Sequence, residues 1–136
     1  MTSPLDGLRR LRAAAESGEL EQLCQRHGIS VLTVFGSALR DPQTARDLDV
    51  AALPEPGRVL DLPGLIVDLT DLAGLQAVDV ADLSRADPVL RERALVACVP
   101  LYESRPGAFA AAQGAAVGER VDTDANRRLN LALLAS

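Results

Sequence analysis

A chain of 136 residues with 48% hydrophobic and only 2% aromatic content has room for one core, built of Leu, Val and Ala. Its net charge of -5 and pI of about 4.8 argue against bulk nucleic-acid binding, which rests on neutralising phosphates. All 14 basic residues are Arg, which excludes a P-loop lysine and Schiff-base chemistry, and the single His27 excludes an HExxH zinc site.

Leu5, Leu8, Leu11 and Ala15 share one stripe of a helix over 5–16, and Leu20, Leu23 and Cys24 one of a second helix over 19–27, with a break at Ser17-Gly18. Gly28 reads as the C-cap, beside which His27 suits the helix dipole. "ISVLTVF" (29–35) is a short β-branched run that predicts a buried strand. Gly36-Ser37 follows it and opens a short helix. "DLDVAAL" (47–53) predicts a second strand, and "LPEPGR" ends it. Residues 61–74 carry Leu62, Leu65, Ile66, Leu69, Leu72 and Ala73 at helical spacing, with Asp61 as cap and Pro63 in the first turn; a strand at 65–69 is the competing reading. "AVDVADL" (77–83) alternates as a third strand. A helix over 86–98 is capped by Asp87, with Pro88 first, and its Arg91-Glu92-Arg93 run reads as a solvated face. A closing strand covers 99–104, with Tyr102 as a packing residue. Residues 105–120 are Ala/Gly-rich and weakly specified. A last helix covers 124–134, opened by Asp122 or Thr123, with Leu129, Leu133 and Leu134 facing inward.

The expectation is one domain over 1–136, an α/β (α+β) fold with a small mixed sheet flanked by helices and a core at 29–104. Cys24 and Cys98 match no metal spacing and read as buried free thiols. No apolar run reaches the ~18 residues of a membrane span and no signal-peptide pattern opens the chain, so a cytoplasmic protein is expected.

Two acids inside an apolar strand need an explanation. Asp47 and Asp49, two residues apart, project to the same face, while Leu48 and Val50 face the core. At 4 Å and an effective dielectric of 20, two carboxylates repel by roughly 4 kcal/mol. A hard divalent cation, Mg²⁺ or Mn²⁺, removes that cost. Gly36 lets a phosphate approach the backbone, Ser37 offers a hydroxyl, and Arg40 adds a charge-assisted contact one turn on. A phosphate binder beside a metal binder is what nucleotidyl transfer requires. Asp61, Asp71 and Asp82 read as solvated or capping acids.

The run "FGSALRDPQTARDLDV" resembles the Gly-Ser, spacer, Asp-x-Asp signature of the minimal nucleotidyltransferases, small members of the DNA polymerase β-like superfamily, with a nine-residue spacer here. "AVDVADLSRADPVLRERALVACVPLYES" is similar to the segment that carries the family's third acid, which makes Asp79 that acid and Asp68 its rival. The resemblance covers roughly 29–104 and implies a polymerase-β-like palm. It implies that Asp47 and Asp49 hold two Mg²⁺ ions, that Asp79 shares the second and helps activate the attacking hydroxyl, and that Gly36 and Ser37 grip the phosphates of ATP, the substrate. Two positions depart from the common pattern without removing a ligand: Arg46 stands where many members have Ser or Thr, and Asp41 where many have Gly.

Stand-alone members of this size are typically antitoxins of HEPN-domain RNases. The resemblance thus implies transfer of AMP to a tyrosine of a HEPN toxin, with no nucleic acid or membrane as partner, and either self-association or a hetero-oligomer with the toxin. Two alternatives stay open: a non-catalytic antitoxin that binds its toxin stoichiometrically, and a small-molecule nucleotidyltransferase of the aminoglycoside type.

Overall fold

The computed structural model describes residues 3–75 and 78–135, with side chains throughout except at 123, 127 and 130–135. The elements run α1 (Pro4–Ser17), α2 (Glu19–His27), β1 (Ile29–Phe35), α3 (Ser37–Arg40), β2 (Asp49–Pro54), α4 (Leu62–Ala73), β3 (Asp79–Asp82), α5 (Pro88–Leu95), β4 (Cys98–Glu103) and α6 (Ala108–Ala135). The four strands form one mixed sheet in the order β3-β2-β1-β4. β1 pairs antiparallel with both β2 and β4, and β2 pairs parallel with β3.

All seven residues of β1 are buried, as expected of a central strand covered on both faces. Strand alternation divides the core in two. Leu32 and Val34 of β1, with Val50 and Ala52 of β2, pack against Leu8 and Leu11 of α1, Leu20 and Leu23 of α2, and Leu65 and Leu69 of α4. Val31, Phe35 and Ala51 point the other way, onto Ala94 and Leu95 of α5 and Ala108 and Ala116 of α6. Each fully buried Leu contributes roughly 1.5–3 kcal/mol, so this aliphatic filling replaces the missing aromatics.

The helix ends follow their local chemistry. Ser3 and Asp6 form a capping box on α1, with Asp6 N–H donating to Ser3 Oγ at 3.1 Å and Ser3 N–H to Asp6 Oδ2 at 3.3 Å. Gly18 separates α1 from α2 in a left-handed conformation, φ 90°. Asp61 accepts from Gly64 N–H at 3.3 Å and opens α4, so 62–73 is helix and not strand. His27, at the end of α2, places Nε2 2.6 Å from Asp68 Oδ2 on α4, and Arg26 lies 3.8 Å from the same oxygen.

Several sequence expectations need correction. In α1 it is Ala14, not Ala15, that completes the buried stripe. β2 begins at Asp49, because its partner β3 begins opposite it at Asp79; Asp47 precedes the strand, and residue 77 lies outside the described residues. α5 is shorter than 86–98, and β4 already starts at Cys98, which is half-buried where a buried thiol was expected.

The largest correction is α6, which starts at Ala108 and not near 124, absorbing the Ala/Gly-rich stretch. Each helical Gly costs about 1 kcal/mol relative to Ala. Contacts to α5 offset Gly114 and Gly118: Gln113 Nε2 donates to the Leu95 carbonyl at 2.9 Å, Arg91 pairs with Glu119 at 3.1 Å, and Arg120 pairs with Glu92 at 2.8 Å. Arg91 and Glu92 are therefore inter-helix ties and not a solvated face. Leu129 is 59% exposed, so it does not face inward; the side chains of Leu133 and Leu134 lie outside the described ones. No helix among the described residues is long and apolar enough to cross a membrane.

Candidate active site

The sheet register lines up one end of four strands. Phe35 at the end of β1 pairs with Asp49 on one side and Cys98 on the other, and Asp49 pairs with Asp79. Asp49 and Asp79 are thus direct neighbours on adjacent parallel strands. Both share the sheet face of Ala51 and Ala81, which pack toward α5 and α6. Leu48 and Val50 face the opposite core, as their alternation predicts. Asp47 is exposed just ahead of β2. Arg46 makes no ion pair with it among the described residues.

Gly36 links β1 to the single-turn helix α3 with φ 86° and ψ -151°, a conformation L side chains rarely adopt. It is glycine for a second reason too. A Cβ built there would strike the Asp49 carboxylate, with Cγ only 3.3 Å away. The Gly-Ser turn and the middle acid are therefore packed against each other. Ser37 begins α3 and is half-buried, Ala38 is buried, and Arg40 ends the turn exposed.

The electrostatics follow this placement. Burial raises the Asp49 carboxyl above its ordinary value, and the charges of Asp79 and Asp47 raise it further; Arg93 and Arg40 act in the opposite sense. Asp47 and Asp79 thus both bear on Asp49, although no group of three His, Cys, Asp or Glu side chains among the described residues is gathered tightly enough to hold a metal ion. Every candidate ligand is a carboxylate oxygen, the donor that suits a hard divalent cation, and such a charge would offset the part of the Asp49 shift that comes from Asp79 and Asp47. Asp68, the rival third acid, is engaged with His27 on the far side of the sheet and does not join the row.

Beside Gly36 opens a pocket of about 190 Å³ lined by Phe35, Gly36, Arg40, Arg93 and Ala97. The sequence reading left Arg93 in a solvated run. Its available signal was weak: α5 lacks a clean apolar stripe, so its charged residues had no obvious outer face.

No family model and no curated protein matches the chain. Solved structures do. A chain of a toxin–antitoxin complex with AMP-PNP superposes with a TM-score of 0.66 at 17% identity, over 88% of this chain and 98% of that one. A complex of tri-AMPylated Shewanella oneidensis HEPN toxin with MNT antitoxin gives a TM-score of 0.63 at 16% identity, over 92% and 99% of the two chains. At these identities the likeness is one of fold. A structure described as a minimal nucleotidyltransferase is 37% identical, over 71% of this chain and 95% of that one, with a TM-score of 0.55. The chain belongs to the minimal nucleotidyltransferase family. In this minimal nucleotidyltransferase the Gly-Ser turn, the acids at 47, 49 and 79 and the pocket at Arg40 all gather at the same end of the sheet.

Proposed function

We propose that this minimal nucleotidyltransferase transfers AMP from ATP to a tyrosine hydroxyl of a HEPN-type RNase and so acts as its antitoxin. The observation that carries this reading is the register row Asp79–Asp49–Phe35, with the Gly36 turn packed on the Asp49 carboxylate. Further support comes from the neighbours of the same fold, one in complex with AMP-PNP and one with an AMPylated HEPN toxin.

Asp47, Asp49 and Asp79 would hold Mg²⁺, which when bound supplies charge neutralisation at the phosphate oxygens. Gly36 and Ser37 seat the triphosphate, and Arg40 adds a charged contact. The acceptor oxygen attacks the α-phosphorus; that P–O bond forms as the bond to the bridging oxygen of the β-phosphate breaks. Pyrophosphate leaves with the electron pair. The hydroxyl proton passes to the Asp79 carboxylate and on to water, so ATP and the hydroxyl yield the AMP ester, pyrophosphate and a proton.

A stoichiometric, non-catalytic antitoxin is the second reading, favoured by the absence of a gathered three-acid cluster among the described residues. Mass spectrometry of a HEPN toxin incubated with the chain, ATP and Mg²⁺ separates the two. AMP additions that disappear in Asp47→Ala and Asp49→Ala support the enzyme. Neutralisation of the toxin by the double variant with no mass gain supports the binder.

A further inference from the structure

We propose that Arg93 is a second polyphosphate-binding cation of this site, holding with Arg40 the pyrophosphate portion of the bound nucleoside triphosphate. The inference rests on the nucleotidyl-transfer reading and adds a residue to it. The pocket beside Gly36 is walled by a ring, a glycine and an alanine, and among the described residues its charged lining residues are Arg40 and Arg93. Among the described residues neither Arg40 nor Arg93 makes an ion pair, whereas Arg9, Arg26, Arg91 and Arg120 each do. Both are exposed at the pocket mouth, and the one anionic group on which both charges bear is the Asp49 carboxylate, so their remaining donors are open to an incoming anion. A guanidinium meets phosphate oxygens through two parallel N–H donors, so a polyphosphate is the anion that satisfies both. The charge of Arg93 is also felt at Asp49, ahead of that of Arg40, which puts it within reach of the acid row. At about 190 Å³ the pocket is smaller than those that enclose a drug-sized ligand, so it takes one part of a nucleotide.

The rest of α5 explains how Arg93 stays there. Thr33 Oγ1, fully buried in β1, donates to the carbonyl of the next residue, Ala94, at 2.7 Å. Arg91 and Glu92 are taken up by α6. The backbone under Arg93 is thus fixed to the central strand on one side and to α6 on the other, and its side chain alone is left for the pocket.

The test is binding of the α,β-methylene analogue of ATP, of inorganic pyrophosphate and of AMP, each with Mg²⁺, to the wild-type protein, Arg93→Ala and Arg93→Lys. The expected result is a loss of roughly tenfold or more for the analogue and for pyrophosphate in Arg93→Ala. AMP binding and the melting temperature stay as in the wild type, and Arg93→Lys recovers part of the loss. Unchanged analogue binding in Arg93→Ala, or an equal loss for AMP and the analogue, overturns the role of Arg93 and leaves nucleotidyl transfer standing. A wild-type protein that binds none of the three overturns both.

Discussion

Replacing Asp49 with Asn is expected to stabilise the metal-free protein while abolishing transfer. The carboxylates of Asp49 and Asp79 sit on paired residues of adjacent strands, which lie ~4.8 Å apart. Two unit charges at that distance repel by ~1 kcal/mol in bulk water and by ~3.5 kcal/mol at an effective dielectric of 20. Asp79 is exposed, so solvent screening favours the lower end, and Arg93 and Arg40 offset part of the rest. A gain of about 1–2 kcal/mol remains, or a rise of about 3–8 °C in melting temperature for a domain of this size. The pH dependence follows from the direction of the shift. Asp49 is raised in the folded protein, so folding favours its protonated form. The penalty is absent below the ordinary value of 3.8 and grows as pH rises through the folded value. Differential scanning fluorimetry in EDTA should therefore show a larger gain for Asp49→Asn at pH 7.5 than at pH 4.5. Added Mg²⁺ should raise the melting temperature of the wild type and leave that of the variant unchanged. Equal melting temperatures at pH 7.5, or the same gain at both pH values, would refute the reasoning that burial and the neighbouring acids make the Asp49 charge unfavourable.

Three further outcomes follow from the same geometry. Gly36→Ala forces a side chain into a positive-φ position and against Asp49; it should lower AMP transfer by roughly a hundredfold, measured by mass spectrometry of the acceptor, and cost about 1–3 kcal/mol in urea unfolding. Thr33→Val strips the Ala94 carbonyl of its buried donor and should destabilise by about 1–3 kcal/mol, read as a lower urea midpoint with an unchanged slope. Asp68→Asn breaks the tie to His27 and should reduce stability by no more than about 1 kcal/mol with full transfer activity, whereas Asp79→Asn should lose transfer; the reverse pattern would make Asp68 the third acid.

Much of this was legible in the residues, for physical reasons that also mark the limits. β1 announces itself because a buried central strand has to be apolar throughout. The caps at Ser3, Asp61 and Asp87 are side-chain chemistry within three residues of the helix start, so they are readable locally. Of the caps, Asp61 and Asp87 were read, together with Pro63 and Pro88. The first half of α6, ahead of the helix expected at 124–134, is not readable in this way, because the favourable terms for a Gly-containing helix sit on another element: Glu119 and Arg120 need Arg91 and Glu92, some 28 residues away. The same long-range pairing separates Arg91 and Glu92, which tie to α6, from Arg93, which is exposed as a solvated face predicts. The start of β2 was misplaced by two residues because strand limits depend on where the neighbouring strand begins. The nearness of Gly36 to the Asp47-x-Asp49 run is legible because the two lie at the ends of consecutive strands, whereas the order of the strands that brings Asp79 beside Asp49 is written in no local segment.

The sheet order holds the two paired acids unequally. β3 is four residues long and forms an outer margin of the sheet, bonded to β2 alone. Asp49, by contrast, rides on a strand stitched along both sides. The outer acid is thus held by one ladder of hydrogen bonds where its neighbour is held by two. Any tightening of the site would therefore fall on the rim, and the interior that carries the fold's stability would stay undisturbed.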